Sequence, residues 1–221
     1  MNAWIAGATG LVGRALLDAL LAEPRVEQVA ALARRPLPRT HPKLESVTVD
    51  FERLEQELAG RRATCAFCCL GTTIKKAGSQ DAFRRVDHDY VLAFARAALA
   101  AGAEKLLVVT ALGADAKSGI FYNRVKGEVE AHLGELGFRE LHLLRPSLLL
   151  GPREERRPAE AIGMALARPL RAVMVGPLAR YRPIEGTDVA RAMLALSLDA
   201  APHPSVSLHE SEEIERISAR T

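Results

Sequence analysis

Short apolar runs alternate with stretches of helical periodicity along the first two thirds of the chain. The apolar runs at residues 3–6, 26–33, 44–49, 63–70, 104–110 and 141–150 are typical of buried strands. The stretches at 11–21, 80–101 and 122–136 have the spacing of helices. Strands that alternate with helices of this length indicate right-handed crossovers and a mostly parallel sheet. The pattern therefore predicts an α/β chain with a Rossmann-type doubly wound fold and helices on both faces of the sheet.

The last third of the chain is less regular. Residues 151–182 are rich in arginine and proline, and we expect them to form a small lid on the substrate side. Thr187 and Asp188 are candidate N-caps for a helix that ends at Ser197, and residues 206–208 suggest a last strand. Because no linker, repeat or low-complexity tract divides the sequence, residues 1–221 are interpreted as one domain.

Composition and charge exclude several classes of protein. Apolar residues make up 48% of the chain, and 30 basic residues face 27 acidic ones, a net charge of +3. So small an excess argues against a dedicated nucleic-acid binder. No apolar run approaches the ~20 residues that span a bilayer, and the N-terminus lacks the features of a signal peptide. We therefore expect a cytoplasmic protein with no membrane partner.

Three glycines follow the first predicted strand and open the first predicted helix, in the run Gly7-Ala8-Thr9-Gly10-Leu11-Val12-Gly13. Such spacing allows a tight turn and a close approach of the backbone to a pyrophosphate, which the N-terminus of the helix then attracts. The alternative is an ordinary strand-to-helix turn. The position of the run favours a dinucleotide site. The residues expected to contact the cofactor here are Gly7, Thr9, Gly10, Leu11, Val12 and Gly13.

The end of the second predicted strand indicates which dinucleotide is bound. An NAD enzyme places an acidic residue there for the ribose hydroxyls, whereas this chain has Arg34 and Arg35. Two guanidinium groups suit a 2′-phosphate, so NADP(H) is expected to bind in preference to NAD(H). A solvated basic loop is the alternative.

Tyr122 and Lys126 are four residues apart in a predicted helix, and they therefore share one face. An isolated tyrosine has a pKa near 10, and a lysine ammonium beside it favours the phenolate. A pair of this kind occurs by chance in many helices. After a dinucleotide turn and a strand that ends in the hydroxyl residue Thr110, the catalytic interpretation is favoured.

Taken together, these segments resemble an atypical short-chain dehydrogenase/reductase, close to the Tat-interacting-protein-like oxidoreductases and their bacterial relatives. The resemblance runs in order to about residue 152. It is carried by the glycine run and by Cys69-Leu70-Gly71-Thr72-Thr73, Val86-Asp87-His88-Asp89-Tyr90, Leu112-Gly113-Ala114-Asp115, Tyr122-Asn123-Arg124-Val125-Lys126-Gly127-Glu128-Val129-Glu130, Leu144-Arg145-Pro146-Ser147 and Gly151-Pro152.

The resemblance implies roles for individual residues. Tyr122 would donate the proton, and Lys126 would assist Tyr122 and bind the nicotinamide ribose. The backbone of Leu70, Gly71 and Thr72 would line the cofactor, and Asp50 would lie near the adenine. Relatives often end the fifth strand with two serines, whereas this chain has Thr110 and Ala111. Thr110 could still bond a substrate carbonyl, but Ala111 offers no hydroxyl, which puts turnover in doubt more than cofactor binding.

Other clusters are given structural interpretations. Cys65 and Cys68 have the spacing of a metal pair, but residues three apart on a strand face opposite ways, so no metal is expected. His203 and His209 have no matching ligands and are interpreted as surface residues. The run 153–157 is interpreted as a solvated, self-paired loop, with binding of an anionic substrate as the alternative. Ala93, Ala97 and Ala100 suit either the core or a contact between the subunits of a homodimer.

The leading hypothesis is an NADPH-dependent oxidoreductase that reduces a small carbonyl compound. The alternative is an NADP(H)-binding sensor or regulatory protein with little turnover, and an epimerase or isomerase comes third. A lid of about 30 residues argues against a bulky nucleotide-sugar substrate.

Overall fold

The computed structural model describes residues 1–151, 180–201 and 203–220. Its strands are β1 (Asn2–Ala6), β2 (Gln28–Ala33), β3 (Leu44–Thr48), β4 (Cys65–Cys68), β5 (Lys105–Val109), β6 (Glu140–Arg145), β7 (Leu149–Leu150), β8 (Ile184–Glu185) and β9 (Val206–Glu210). Seven of them form one parallel sheet in the order β3-β2-β1-β4-β5-β6-β9, and β7 pairs with β8 in a separate parallel ribbon. The strand order reverses direction between β1 and β4, as in a doubly wound fold.

Helices cover both faces of the sheet. They are α1 (Leu11–Ala22), α2 (Leu54–Glu57), α3 (Ile74–Ala77), α4 (Gln80–Arg84), α5 (Tyr90–Ala100), α6 (Phe121–Gly134), α7 (Gly186–Leu198) and α8 (Ser211–Ser218). Apolar residues of α2, α5 and α6 pack on one face, and those of α1, α7 and α8 pack on the other. The predicted doubly wound Rossmann-type fold is therefore confirmed.

Strand β4 shows how the sheet separates the two cores. Cys65 belongs to the core under α1 and α7, whereas Cys68 belongs to the core under α5. Their side chains thus point to opposite faces, as the alternation of a strand requires. Cys69 follows the strand, and all three cysteines are free thiols.

Three predicted elements have different boundaries in the structure. The predicted helix over 80–101 contains a π-helical turn, Arg85–Asp89, between α4 and α5. The apolar run 141–150 is two strands, because Pro146 follows β6 and lacks the N–H that a continuing ladder needs. Thr187 and Asp188 are not N-caps, since the chain leaves β8 extended at Glu185 and is already helical from Gly186.

The prediction that His209 lies on the surface is wrong. His209 is buried, and its Nε2 lies 3.1 Å from Nδ1 of His142, which is also buried. The two residues are brought together by β6 and β9, where His142 pairs with Ser207 and Leu144 with His209. His203 is partly buried beside His142, with 5.1 Å between the ring centroids.

Most of the predicted lid, including the run 153–157, lies outside the described residues, which resume at Arg180. Within the described ranges, no helix is long and apolar enough to cross a membrane.

Candidate functional site

A cleft of about 540 Å³ opens at the carboxyl ends of the central strands. Parallel strands direct their following loops to this edge, and ligands of doubly wound sheets bind where the strand order reverses. The cleft brings together the glycine turn, the loop after β4, the end of β5 and the first turns of α6. The residues that line it are Thr9, Gly10, Leu11, Val12, Arg14, Cys69, Leu70, Gly71, Thr72, Thr73, Lys76, Asp87, Val109, Thr110, Tyr122, Lys126 and Leu149.

The glycine turn is shaped by contacts that no larger residue allows. Gly7 has a φ of 85°, and a Cβ there would lie 2.4 Å from the carbonyl oxygen of Cys69. A Cβ on Gly13 would lie 2.1 Å from the carbonyl oxygen of Gly7, so α1 packs directly against the end of β1. Gly10 is exposed and forms the N-cap of α1, and no side chain caps this helix. Its first amides therefore face the cleft as a site suited to a pyrophosphate.

The loop after β4 forms the opposite wall of the cleft. Leu70, Gly71 and Thr72 all line it, and their contact with a cofactor stays a prediction. The backbone N–H of Thr72 donates to Oδ2 of Asp87 at 2.8 Å. This bond ties the loop to the π-helical turn that carries Asp87.

Asp87 also forms an ion pair with Lys126. Its Oδ1 lies 2.8 Å from Nζ of Lys126, and both side chains are buried. Burial favours the neutral amine, but the Asp87 carboxylate, with a smaller contribution from Tyr122, outweighs it and raises the pKa of Lys126 above its ordinary value. Lys126 is therefore a fixed ammonium at the floor of the cleft.

Tyr122 and Lys126 lie one turn apart on α6, and both line the cleft. The ring of Tyr122 packs against Phe83 of α4, with 5.6 Å between the centroids. Gly127 follows Lys126, and a Cβ there would lie 2.1 Å from the backbone nitrogen of Ala116. Glycine at this position thus lets the loop after β5 lie directly against α6.

Thr110 lies at the cleft wall, but its hydroxyl is not oriented for the predicted hydrogen bond to a substrate carbonyl. It donates to Oε1 of Glu130 at 2.6 Å and approaches the carbonyl oxygen of Leu144 at 3.2 Å. Glu130 is itself buried and is held by the guanidinium of Arg145. In this arrangement the Thr110 hydrogen is directed to a carboxylate and not to a substrate carbonyl.

The residues predicted for the adenosine end lie outside the cleft wall. Arg34 and Arg35 follow β2, and Asp50 follows β3, all exposed at the same carboxyl edge of the sheet. The Asp50 carboxylate accepts the backbone N–H of Glu52 at 3.0 Å. The structure places these three residues at the predicted edge, while their contacts with a cofactor stay predictions.

The described residues contain no group of three or more metal-binding side chains. Burial raises the pKa of Cys65 and that of Cys68 to about 12, which disfavours the thiolates that metals bind. The absence of a bound metal stays a prediction.

Sequence reasoning did not select Asp87 or Glu130 as site residues, although both lie in segments that carry the resemblance. Their importance rests on burial and on partners distant in sequence.

The parallel sheet, the glycine turn and the Tyr122–Lys126 pair together define a Rossmann-type NAD(P)-binding domain of the atypical short-chain dehydrogenase/reductase class. The chain belongs to the NAD(P)H-binding family, whose model matches residues 7–136. It is 40% identical to "Protein HTATIP2" of Rattus norvegicus over 163 residues, which cover 72% of this chain and 67% of that protein. It is also 33% identical to "Protein FMP52, mitochondrial" of Eremothecium gossypii, with 97% of this chain and 96% of that protein covered.

Solved structures share the fold at low sequence identity. The oxidoreductase ylbE from Lactococcus lactis has a TM-score of 0.69 at 18% identity, with 100% of this chain and 96% of that chain covered. The human epimerase family protein SDR39U1, solved with NADPH, has a TM-score of 0.64 at 19% identity, with 96% and 74% covered. These likenesses support the fold and carry no further detail of the site.

Proposed function

We propose that this protein is an NADP(H)-dependent oxidoreductase that reduces a small carbonyl compound. The observation that carries the proposal is that one cleft joins an uncapped glycine turn to a tyrosine and a buried, ion-paired lysine. The cofactor fits the residues present, since the turn at Gly7 and Gly13 has no room for side chains and no side chain caps the first amides of α1. When bound, the reduced nicotinamide supplies a hydride.

Proton donation, charge stabilisation and positioning are assigned to residues of the chain. Tyr122 donates a proton from its hydroxyl to the substrate oxygen as that oxygen gains charge. Lys126 carries a fixed positive charge, which stabilises the phenolate left on Tyr122 and can bond the ribose hydroxyls of the cofactor. Asp87 holds Lys126 in place and fixes the Thr72 loop. Arg34 and Arg35 would bind the 2′-phosphate and so favour NADP(H) over NAD(H).

A second candidate function has an observation in its favour. Thr110 directs its hydroxyl hydrogen to Glu130, and Ala111 has no hydroxyl. Of the residues predicted to be catalytic, Tyr122 is therefore the one whose hydroxyl can still donate to the substrate. This arrangement favours a cofactor-dependent sensor or regulatory protein with little turnover.

A cytoplasmic location and a single domain with a lid stay predictions, and fungal relatives such as that of Eremothecium gossypii are named mitochondrial.

The two candidates differ in turnover and not in cofactor binding. The test is NADPH consumption by the purified protein across a panel of aldehydes, ketones and quinones, beside the dissociation constant of NADPH. Consumption with at least one carbonyl substrate supports the oxidoreductase. Tight binding without consumption across the panel favours the sensor. Failure to bind either NADPH or NADH contradicts both.

A further inference from the structure

Lys76 is a cation on the cleft wall that neither the cofactor site nor the proton transfer uses. The described residues that line the cleft include one carboxylate, Asp87, and it already pairs with Lys126. No carboxylate of the described part of the chain pairs with Lys76, which is exposed. Among the described residues that line the cleft, no carboxylate is therefore left to match the positive charge of Lys76.

Lys76 follows a loop that Asp87, the partner of Lys126, holds at its end. The segment from Cys69 to Thr72 begins against Gly7, where a Cβ would touch the Cys69 carbonyl. It ends at Thr72, whose amide is held by the carboxylate of Asp87 that also binds Lys126. The segment thus crosses from the glycine turn to the reacting end of the site, and Lys76 follows it.

A short helix fixes the backbone of Lys76. The side chain of Thr73 caps α3 by accepting the N–H of Lys76 at 3.1 Å. Gly78 ends the helix with a φ of 87°. Since α3 is one turn long and begins directly after the Thr72 loop that Asp87 anchors, these contacts fix the backbone from which the Lys76 side chain extends.

We infer that Lys76 is a specificity-determining residue that binds an anionic group of the substrate, so that the preferred substrate is a carbonyl compound that also bears a carboxylate. This inference rests on the proposed function. An ammonium and a carboxylate form a charge-assisted hydrogen bond, which is stronger than a neutral one. The amides of α1 and the glycine turn would hold the phosphates of the cofactor, so this proposal leaves Lys76 for the substrate.

The chain provides a matched control for the test. Lys75 precedes Lys76 on α3 and is also exposed, but it does not line the cleft. Each of the variants Lys76→Ala and Lys75→Ala therefore removes one positive charge from α3. Lys76→Ala removes it from the cleft wall, whereas Lys75→Ala removes it from a position outside the wall. The probes are 4-carboxybenzaldehyde and its methyl ester, which differ in the charged group and share the reacting aldehyde.

Two quantities are measured for the unaltered protein and for each variant. The first is the dissociation constant of each probe in the presence of saturating NADP⁺, and the second is the dissociation constant of NADPH. The original protein should bind the acid more tightly than the ester. Lys76→Ala should weaken the acid about tenfold and leave the ester and NADPH within about threefold. Lys75→Ala should change none of the three.

Two outcomes overturn the inference. In the first, 4-carboxybenzaldehyde binds the unaltered protein no more tightly than its methyl ester does, or it binds Lys76→Ala and Lys75→Ala equally well. The other is a Lys76→Ala variant that weakens NADPH but not the acid, which would assign Lys76 to a cofactor phosphate. If the unaltered protein binds neither NADPH nor NADP⁺, the proposed function fails first, and the inference fails with it.

Discussion

The carboxylate of Asp87 lies 2.8 Å from the ammonium of Lys126, and this buried pair joins the π-helical turn to α6 beneath the cleft. The second oxygen of the same carboxylate holds the amide of Thr72. One side chain therefore holds both Lys126 and the loop on the opposite wall.

Removal of this carboxylate should be costly for the fold. Asp87→Ala leaves the ammonium of Lys126 buried without a partner, and loss of one member of a buried pair costs roughly 3–5 kcal/mol. We expect a decrease of that size in the free energy of unfolding, measured by chemical denaturation at pH 7. Asp81→Ala, an exposed carboxylate on α4, is the control and should change stability by less than about 1 kcal/mol. Equal effects of the two substitutions would contradict the role given to Asp87.

Cofactor preference should depend on the arginines after β2. Arg34→Glu places a negative charge where a 2′-phosphate is expected, so NADPH should bind at least about tenfold more weakly while NADH changes little. The ratio of the two dissociation constants measures this. Arg62→Glu makes the same charge change in an exposed loop that leads to the amino end of β4, and it should leave the ratio unaltered. Equal affinities for NADPH and NADH in the unaltered protein would refute the preference.

Much of the architecture could be predicted because its elements are periodic. The glycine run, the apolar strands and the helix that carries Tyr122 and Lys126 all follow local rules of spacing, and each lies within a few residues of its predicted place. The short helices α2 and α3 were not predicted, because four residues carry too little periodicity to indicate a helix.

The parts that could not be predicted depend on contacts between distant residues. The orientation of Thr110 is set by Glu130, twenty residues further on, and by Arg145 behind it. His209 is buried because β9 pairs with β6, whereas the sequence around it is polar and resembles a surface strand. Pairings of this kind become visible only when the order of the strands is known.

Acid should destabilise the protein through the buried histidines. Burial, followed by the nearby His209 and His203, lowers the pKa of His142 to about 4, against about 6.5 for an unfolded chain. As pH falls below about 6.5 the unfolded state takes up a proton that the folded state resists, so stability is lost. The contribution of His142 between pH 7 and pH 5 is about 2 kcal/mol.

Chemical denaturation of the protein at pH 7 and at pH 5 measures this loss. His142→Phe should flatten the dependence, whereas His41→Phe, a histidine in the loop before β3, should keep it. A His142→Phe variant whose stability falls with acid as steeply as that of the unaltered protein would show that other groups are responsible.

The central claim is that Tyr122 donates the proton at a cofactor cleft, and Tyr122→Phe tests it most directly. The substitution removes one hydroxyl and keeps the ring that packs on Phe83. The matched control is Tyr90→Phe, because the Tyr90 ring stacks on Phe51, its hydroxyl donates to Glu52, and it does not line the cleft. The measurement is NADPH consumption with a carbonyl substrate found in the panel, beside NADPH affinity. Tyr122→Phe should lower turnover by at least ~10²-fold with affinity within a few-fold, and Tyr90→Phe should preserve turnover. Full turnover by Tyr122→Phe would contradict the account.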